Sequence, residues 1–175
     1  MPRELTLQDL SGQDGWESIE QFNEARTAES YVSGEPEGRR LRVRYFRRQA
    51  DDALMGRVWF GPGTEGPPGR VHGGAVAALL DEAMGFSAWL VGHRVVAAHI
   101  EVDFRAMIPL AATASLEARV ERVDGRKVHV RARLELPDGT LAAESTGLFI
   151  ELSSEHLERF SELASKAGKD PEAFA

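Results

Sequence analysis

The residues best placed to do chemistry lie between positions 71 and 82. Val71-His72-Gly73-Gly74-Ala75 stands where a glycine- and proline-rich loop gives way to an apolar run with helical spacing. The first turn of a helix carries backbone N–H groups without intrahelical partners, and the positive end of the helix dipole lies there. Two glycines let a ligand approach the backbone closely. Such a turn suits an oxyanion or a polarised carbonyl. The same residues also make a plain glycine-rich helix start, and both readings stand on the residues alone. Nine residues after His72, Asp81 interrupts the apolar run. A carboxylate in apolar surroundings tends toward a raised pKa, which makes it a general-base candidate. The other reading is a helix carboxylate that reaches solvent or pairs with an arginine. Its rival Glu82 lies about 100° further round the helix and reads as solvent-facing or structural.

Distance adds a constraint. Eight residues at about 1.5 Å each place Gly73 and Asp81 roughly 12 Å apart along one helix. One carbonyl cannot touch the Gly73 amide and also be attacked by water held on the same chain's Asp81. If the two act together, two copies of the helix run antiparallel, and a two-fold dimer forms that arrangement twice.

The elements that must hold these residues follow from periodicity. Leu41, Val43 and Tyr45 alternate with Arg42, Arg44 and Phe46, which predicts a strand, and Leu54–Phe60 predicts a second, with Asp51-Asp52 turning between them. Residues 73–91 carry only three polar side chains, Asp81, Glu82 and Ser87. Val76, Leu79, Leu80, Ala83, Met84 and Ser87 make one helical stripe, and Ala78, Gly85 and Trp89 leave the other side apolar too, so the helix is expected to be wrapped on most sides. Strands are predicted over 95–104, 113–123, 127–136 and 141–152, with Asp124-Gly125 and Asp138-Gly139 as hairpin turns. Two strands, one helix and an antiparallel meander argue for an α+β fold with a sheet curled round a central helix. Residues 1–38 read as an N-terminal extension with a short helix over 16–25, since Trp16, Ile19 and Phe22 recur at helical spacing. Residues 39–152 form the domain. Residues 153–175 read as a helical tail with Leu157, Phe160, Leu163 and Ala164 on one stripe.

Composition narrows the chemistry further. The chain has 175 residues, 42% apolar and 28% charged, which suits one globular domain with tails. It holds no cysteine, which excludes disulfides, thiolate metal sites and a cysteine nucleophile. A net charge of −7 argues against general nucleic-acid binding. No apolar run suits a signal peptide or a membrane span, so a soluble, cytoplasmic protein with no membrane partner is expected. The histidines show no ligand spacing, and no metal is expected. Gly61, Gly63 and Gly66 spell a dinucleotide-type pattern, but Pro67-Pro68-Gly69 blocks the helix that pattern needs. Ser87 lies mid-helix rather than at a nucleophile elbow. The arginines at 39, 40, 42, 44, 47 and 48 read as a solvated strand face, with a patch for a phosphorylated ligand as the alternative.

The run GPPGRVHGGAVAALLDEAMG (66–85), the strand end Phe104-Arg105, Ile108-Pro109-Leu110 and Val123-Asp124-Gly125-Arg126-Lys127 resemble the hotdog-fold acyl-CoA thioesterases. The resemblance is to the group related to the phenylacetate-pathway thioesterase, and it covers about residues 40–152. It implies thioester hydrolysis at a homodimer interface, with dimers that often pair again into tetramers. Asp81 matches the family's catalytic carboxylate, which activates water or attacks directly. Gly73 matches the carbonyl-polarising donor, with His72 shaping the loop and Gly74 beside it. Coenzyme A would arrive as part of the substrate, with no separate cofactor, and Arg126 and Lys127 would contact its phosphates, Arg105 more weakly. The chain departs from the pattern in places. Ala97 stands where relatives carry serine or threonine. His99, two residues on and hence expected on the same strand face, is a candidate substitute, and a plain polar surface residue is the other and favoured reading. Glu65 stands where relatives carry asparagine or glutamine, and Ala106 follows Arg105 in place of proline. Ala97 favours the alternative reading, a non-catalytic acyl-CoA-binding module that keeps the fold.

Overall fold

The computed structural model describes residues 5–23, 31–33 and 39–166. Its centre is an antiparallel sheet of seven strands: β1 (Trp16–Ser18), β2 (Leu41–Arg48), β3 (Leu54–Phe60), β4 (Val95–Phe104), β5 (Thr113–Asp124), β6 (Lys127–Glu135) and β7 (Leu141–Glu151). They lie in the order β1-β2-β3-β5-β6-β7-β4. Short turns join β2 to β3, β5 to β6 and β6 to β7. Asp52, at φ 58°, closes the β2–β3 hairpin in the left-handed region that aspartate tolerates, and Gly125, at φ 56°, closes β5–β6.

Three helices accompany the sheet: α1 (Glu20–Asn23), α2 (Gly73–Leu90) and α3 (Ser154–Lys166). The sheet curls round α2. The helix buries Val76, Leu79, Leu80, Ala83, Met84, Ser87 and Ala88 against the inner sides of the strands, where Val58, Leu116, Val128, Val130, Leu134 and Phe149 complete the core. Burying one such aliphatic side chain contributes about 1.5–3 kcal/mol, so the helix is fixed by packing. Ser87 donates to the Met84 carbonyl at 2.8 Å and is core, as its sequence context predicts. The described residues leave the opposite face of α2 partly open: Ala77, Ala78, Asp81, Gly85 and Trp89 are all only partly buried.

The outcome differs from expectation at three places. The N-terminal helix over 16–25 is absent from its first turn. Trp16–Ser18 is instead an edge strand that pairs with Phe46–Arg48, because Trp16 gains an aromatic neighbour in Phe46 at 5.7 Å; only Glu20–Asn23 is helical, and residues 24–30 lie outside the described ones. The arginine run is not a uniformly solvated face. Arg42 is buried with its guanidinium 4.7 Å from the Trp59 ring, while Arg47 pairs with Asp52 and Arg48 with Asp51 and Glu117. The third difference lies in β4. Ala97 pairs with Phe149 and His99 with Leu148, so Ala98 is a one-residue bulge.

Candidate active site

The loop before α2 is folded by its own polar groups. Pro62–Thr64 forms a single 3-10 turn, not a dinucleotide-binding start. Glu65 accepts the Gly69 N–H on Oε1 at 2.8 Å, which closes the turn over 66–69. Glu65 is therefore occupied in shaping the loop. Val71 and His72 are tied down by their N–H groups, which donate to Ile108 and Thr64 carbonyls at 2.9 and 2.7 Å.

His72 is the N-cap of α2. Its Nδ1 accepts the Gly74 N–H at 2.8 Å, so the neutral ring carries its proton on Nε2. Gly74 thus spends its amide on the cap, whereas the Gly73 amide has no partner among the described residues. A Cβ at Gly73 would stand 3.4 Å from the Phe104 ring, so the end of β4 lies against this turn. The amide that sequence reasoning singled out is the one left free by the helix start.

Asp81 sits in the middle of the same helix. Its Oδ1 is buried and has no hydrogen-bond partner among the described residues. Burial lifts its carboxyl above the ordinary carboxylate range. Glu82, one residue on, is structural: its Oε1 accepts from the Tyr45 hydroxyl at 3.1 Å and its Oε2 from Ser33 at 3.0 Å. The environments of the two adjacent acids separate their roles.

The remaining candidates are not brought together within one chain. Ala97 shares the inner face of β4 with Ile100, Val102 and Phe104, because their partners Phe149, Gly147, Ser145 and Ala143 are buried on that side. His99 shares its side with Leu148, the neighbour of Phe149, and so faces outward. The bulge corrects the expectation that His99 lies on the face of Ala97: its ring points away from α2. Arg126 donates to the Glu151 carbonyl at 2.8 and 3.1 Å, and Lys127 is exposed beside it. Glu151 pairs with Val95 at the start of β4, while Phe104 at its end reaches Gly73. Ten strand residues separate the two ends by about 30 Å. Arg105 is held by Asp103 and Glu144 at 3.1 and 2.9 Å.

Of two further groups near the site, Tyr31 gave no sequence signal and Arg40 was named only as one of the arginine run. Tyr31 and Arg40 line a cleft of about 290 Å³ together with Glu65, His72, Ala75 and Ala78. Tyr31 belongs to no periodic element, and the arginine run hid Arg40 among its neighbours. Phe104 was legible only as the end of a strand; its place on Gly73 comes from the path of β4.

An antiparallel sheet curled round one central helix, with the glycine-rich start of that helix exposed and a buried carboxylate two turns on, defines a hotdog fold. Residues 68–143 match the thioesterase superfamily. The chain is 30% identical to the acyl-coenzyme A thioesterase THEM4 of Xenopus laevis, over 78% of this chain and 68% of that relative; it spans 39% of the mouse acyl-coenzyme A thioesterase THEM5. A thioesterase superfamily protein of known structure superimposes with a TM-score of 0.65 at 26% identity, over 77% of this chain and 66% of that one. The E. coli PaaI protein of the phenylacetic acid degradation operon superimposes with a TM-score of 0.58 at 14% identity, over 65% and 80%, and shares the fold. The chain belongs to the thioesterase superfamily.

Proposed function

We propose that this chain hydrolyses acyl-CoA thioesters to a free acid and coenzyme A, with each active site built across a dimer. The observation that carries this reading is the pair of unpartnered groups on one helix: the Gly73 amide at its start and the buried Asp81 Oδ1 in its middle. They are about 12 Å apart along the axis, so one thioester meets both only if Gly73 comes from one copy and Asp81 from the other.

Two features support a two-fold partner. β4 is a ten-residue edge strand with one side unpaired, and long open edges invite pairing. Its inner-face Phe104 is 57% exposed and the nearby Met107 is 73% exposed, leaving apolar area for a second copy to cover. On the uncovered face of α2, Gly74, Ala78, Asp81 and Gly85 recur at spacings of four, three and four, small enough for a second helix to approach. The dimer is the unit of this reading, and a tetramer would be a pair of such dimers.

In the proposed reaction Asp81 takes a proton from water, and the hydroxide oxygen bonds to the thioester carbon. The negative charge that develops on the carbonyl oxygen is held by the Gly73 N–H at the positive end of α2. The C–S bond then breaks, and the coenzyme A sulfur takes the proton back from Asp81. A raised carboxylate pKa brings Asp81 nearer the working pH, which favours proton exchange. His72 holds the turn through Gly74, and Glu65 holds the loop. The chemistry needs a carboxylate, a water and an amide, and coenzyme A enters only with the substrate. Arg126 and Lys127, at the far end of their own chain's helix, approach the Gly73 end of the partner's helix in this dimer and are assigned to the coenzyme's phosphates. The cytoplasm is the compartment this reading assigns.

A second reading rests on Ala97, whose side chain cannot hold a water: an acyl-CoA-binding module without turnover. A panel of short, medium, long and aromatic acyl-CoAs, followed by thiol release, separates the two. Turnover that falls about 10²–10⁴-fold in Asp81→Asn supports the hydrolase. Binding of the esters with no release from any of them overturns it.

A further inference from the structure

We infer that the segment at residues 31–33, which precedes the hotdog domain, forms the outer wall of the acyl subsite, with Tyr31 capping it and limiting the acyl group to medium chains or a single ring. This deepens the proposed hydrolase reading and rests on it. The segment is pinned where it matters. Val32 and Ser33 are buried, at 7% and 6% exposed, and Ser33 donates to Glu82 on the helix that carries Asp81. The Tyr45 hydroxyl holds the other oxygen of Glu82, which fixes that anchor from the sheet side. Tyr31, two residues before Ser33, therefore has little freedom in where its backbone stands.

Tyr31 and His72 both line the cleft. The Arg40 guanidinium lies 5.5 Å from the Tyr31 ring centre, within the range at which a cation holds an aromatic face. The floor of the cleft is Gly74, Ala75 and Ala78, small residues that leave room above the helix. His72 and Gly74, which flank the Gly73 amide, are part of the lining, so the cleft opens beside the proposed carbonyl site and is positioned to take one of that carbonyl's two substituents, the acyl group or the coenzyme's sulfur arm.

Size selects the acyl group over the coenzyme. The part of the cleft lined by this chain, which is open to solvent on one side, measures about 290 Å³; at about 30 Å³ for a water-sized atom with its share of space, that part holds on the order of ten non-hydrogen atoms. That fits an acyl chain of about eight to ten carbons or one aromatic ring, and not a nucleotide with its pantetheine arm. The carboxylate of Glu65 at the rim is engaged by Gly69, and an apolar chain passes over alanine.

The test uses S-alkyl coenzyme A thioethers of four to sixteen carbons, which contain no bond to hydrolyse, and calorimetric Kd values for the full-length protein. The wild type binds the octyl and decyl ethers at least tenfold more tightly than the hexadecyl ether. In Tyr31→Ala that preference falls at least fivefold, and in Ser33→Ala, which releases the segment from Glu82, it falls in the same direction. Tyr31 is 74% exposed, so its truncation leaves the fold intact. An unchanged preference in Tyr31→Ala, or a wild type that favours hexadecyl, overturns the inference. Failure of the hydrolase reading shows up separately, as binding of acyl-CoA esters without thiol release.

Discussion

The crossed site has a consequence that two inactive variants test together. Gly73→Pro removes the polarising N–H and little else. Gly73 is the first helical residue, where proline is accommodated. His72 before it already has φ −68° and ψ 135°, the extended conformation a residue before proline prefers. The ring would meet Phe104 at about ordinary contact distance, since a Cβ there stands 3.4 Å away. Losing one oxyanion donor costs about 10²–10³-fold in kcat, and Asp81→Asn removes the base at about 10²–10⁴-fold. When equal amounts of the two variants are mixed and their subunits exchanged, about half the dimers are mixed. Each mixed dimer has one site with both lesions and one with neither. Activity should therefore return to about a quarter of the wild-type level, measured by thiol release after denaturation and joint refolding or after co-expression with two tags. If both groups served one site within a chain, every site would keep a lesion. A mixture no more active than the sum of its parts refutes the crossed arrangement.

Other outcomes follow from the same structure. Burial raises the Asp81 pKa, so the folded chain is favoured by the protonated acid and loses that stabilisation as pH rises through the folded pKa. Asp81→Asn should melt above the wild type at pH 7, and the gap in Tm should close as pH falls to about 4, near the unfolded value. Ala97→Ser, on the inner face of β4, should raise kcat about fivefold, equivalent to one hydrogen bond of about 1 kcal/mol, while His99→Ala should leave it within about twofold. Met107 is 73% exposed; Met107→Lys places a charge on the apolar area offered to a second copy and should yield monomers in sedimentation velocity, with loss of turnover. Leu79 is fully buried; Leu79→Ala should cost about 2–5 kcal/mol and lower Tm by about 4–20 °C.

The strands, α2 and the turns were legible because each has a strong local cause. Period-two alternation marks β2 and β6, and aspartate–glycine pairs mark the hairpins. The stripe from Val76 to Ser87 gives the buried side of α2. The glycine-rich helix start at 72–75 and the break in apolarity at Asp81 were visible in the sequence too, as candidates. What escaped depends on partners distant in sequence. Trp16 reads as helix by spacing, yet Phe46 draws it into the sheet. Glu82 looks like Asp81 in the sequence; Tyr45 and Ser33 make it an anchor. Tyr31 enters the site only because Ser33 is fastened to that anchor, and no periodicity announces such a link.

The bulge at Ala98 changes what β4 can tolerate over evolutionary time. Continued alternation from Val95 and Ala97 would turn His99, Glu101 and Asp103 inward. One extra residue turns Ile100, Val102 and Phe104 inward instead. The bulge therefore gives the strand a spare residue. Losing the single codon for Ala98 would flatten the bulge and still leave Ile100, Val102 and Phe104 inward, because Ala97 and His99 already pair with consecutive residues of β7. A one-residue insertion between His99 and Asp103 has no such slack and would turn the apolar side of every later residue away from the core and from the face offered to a partner.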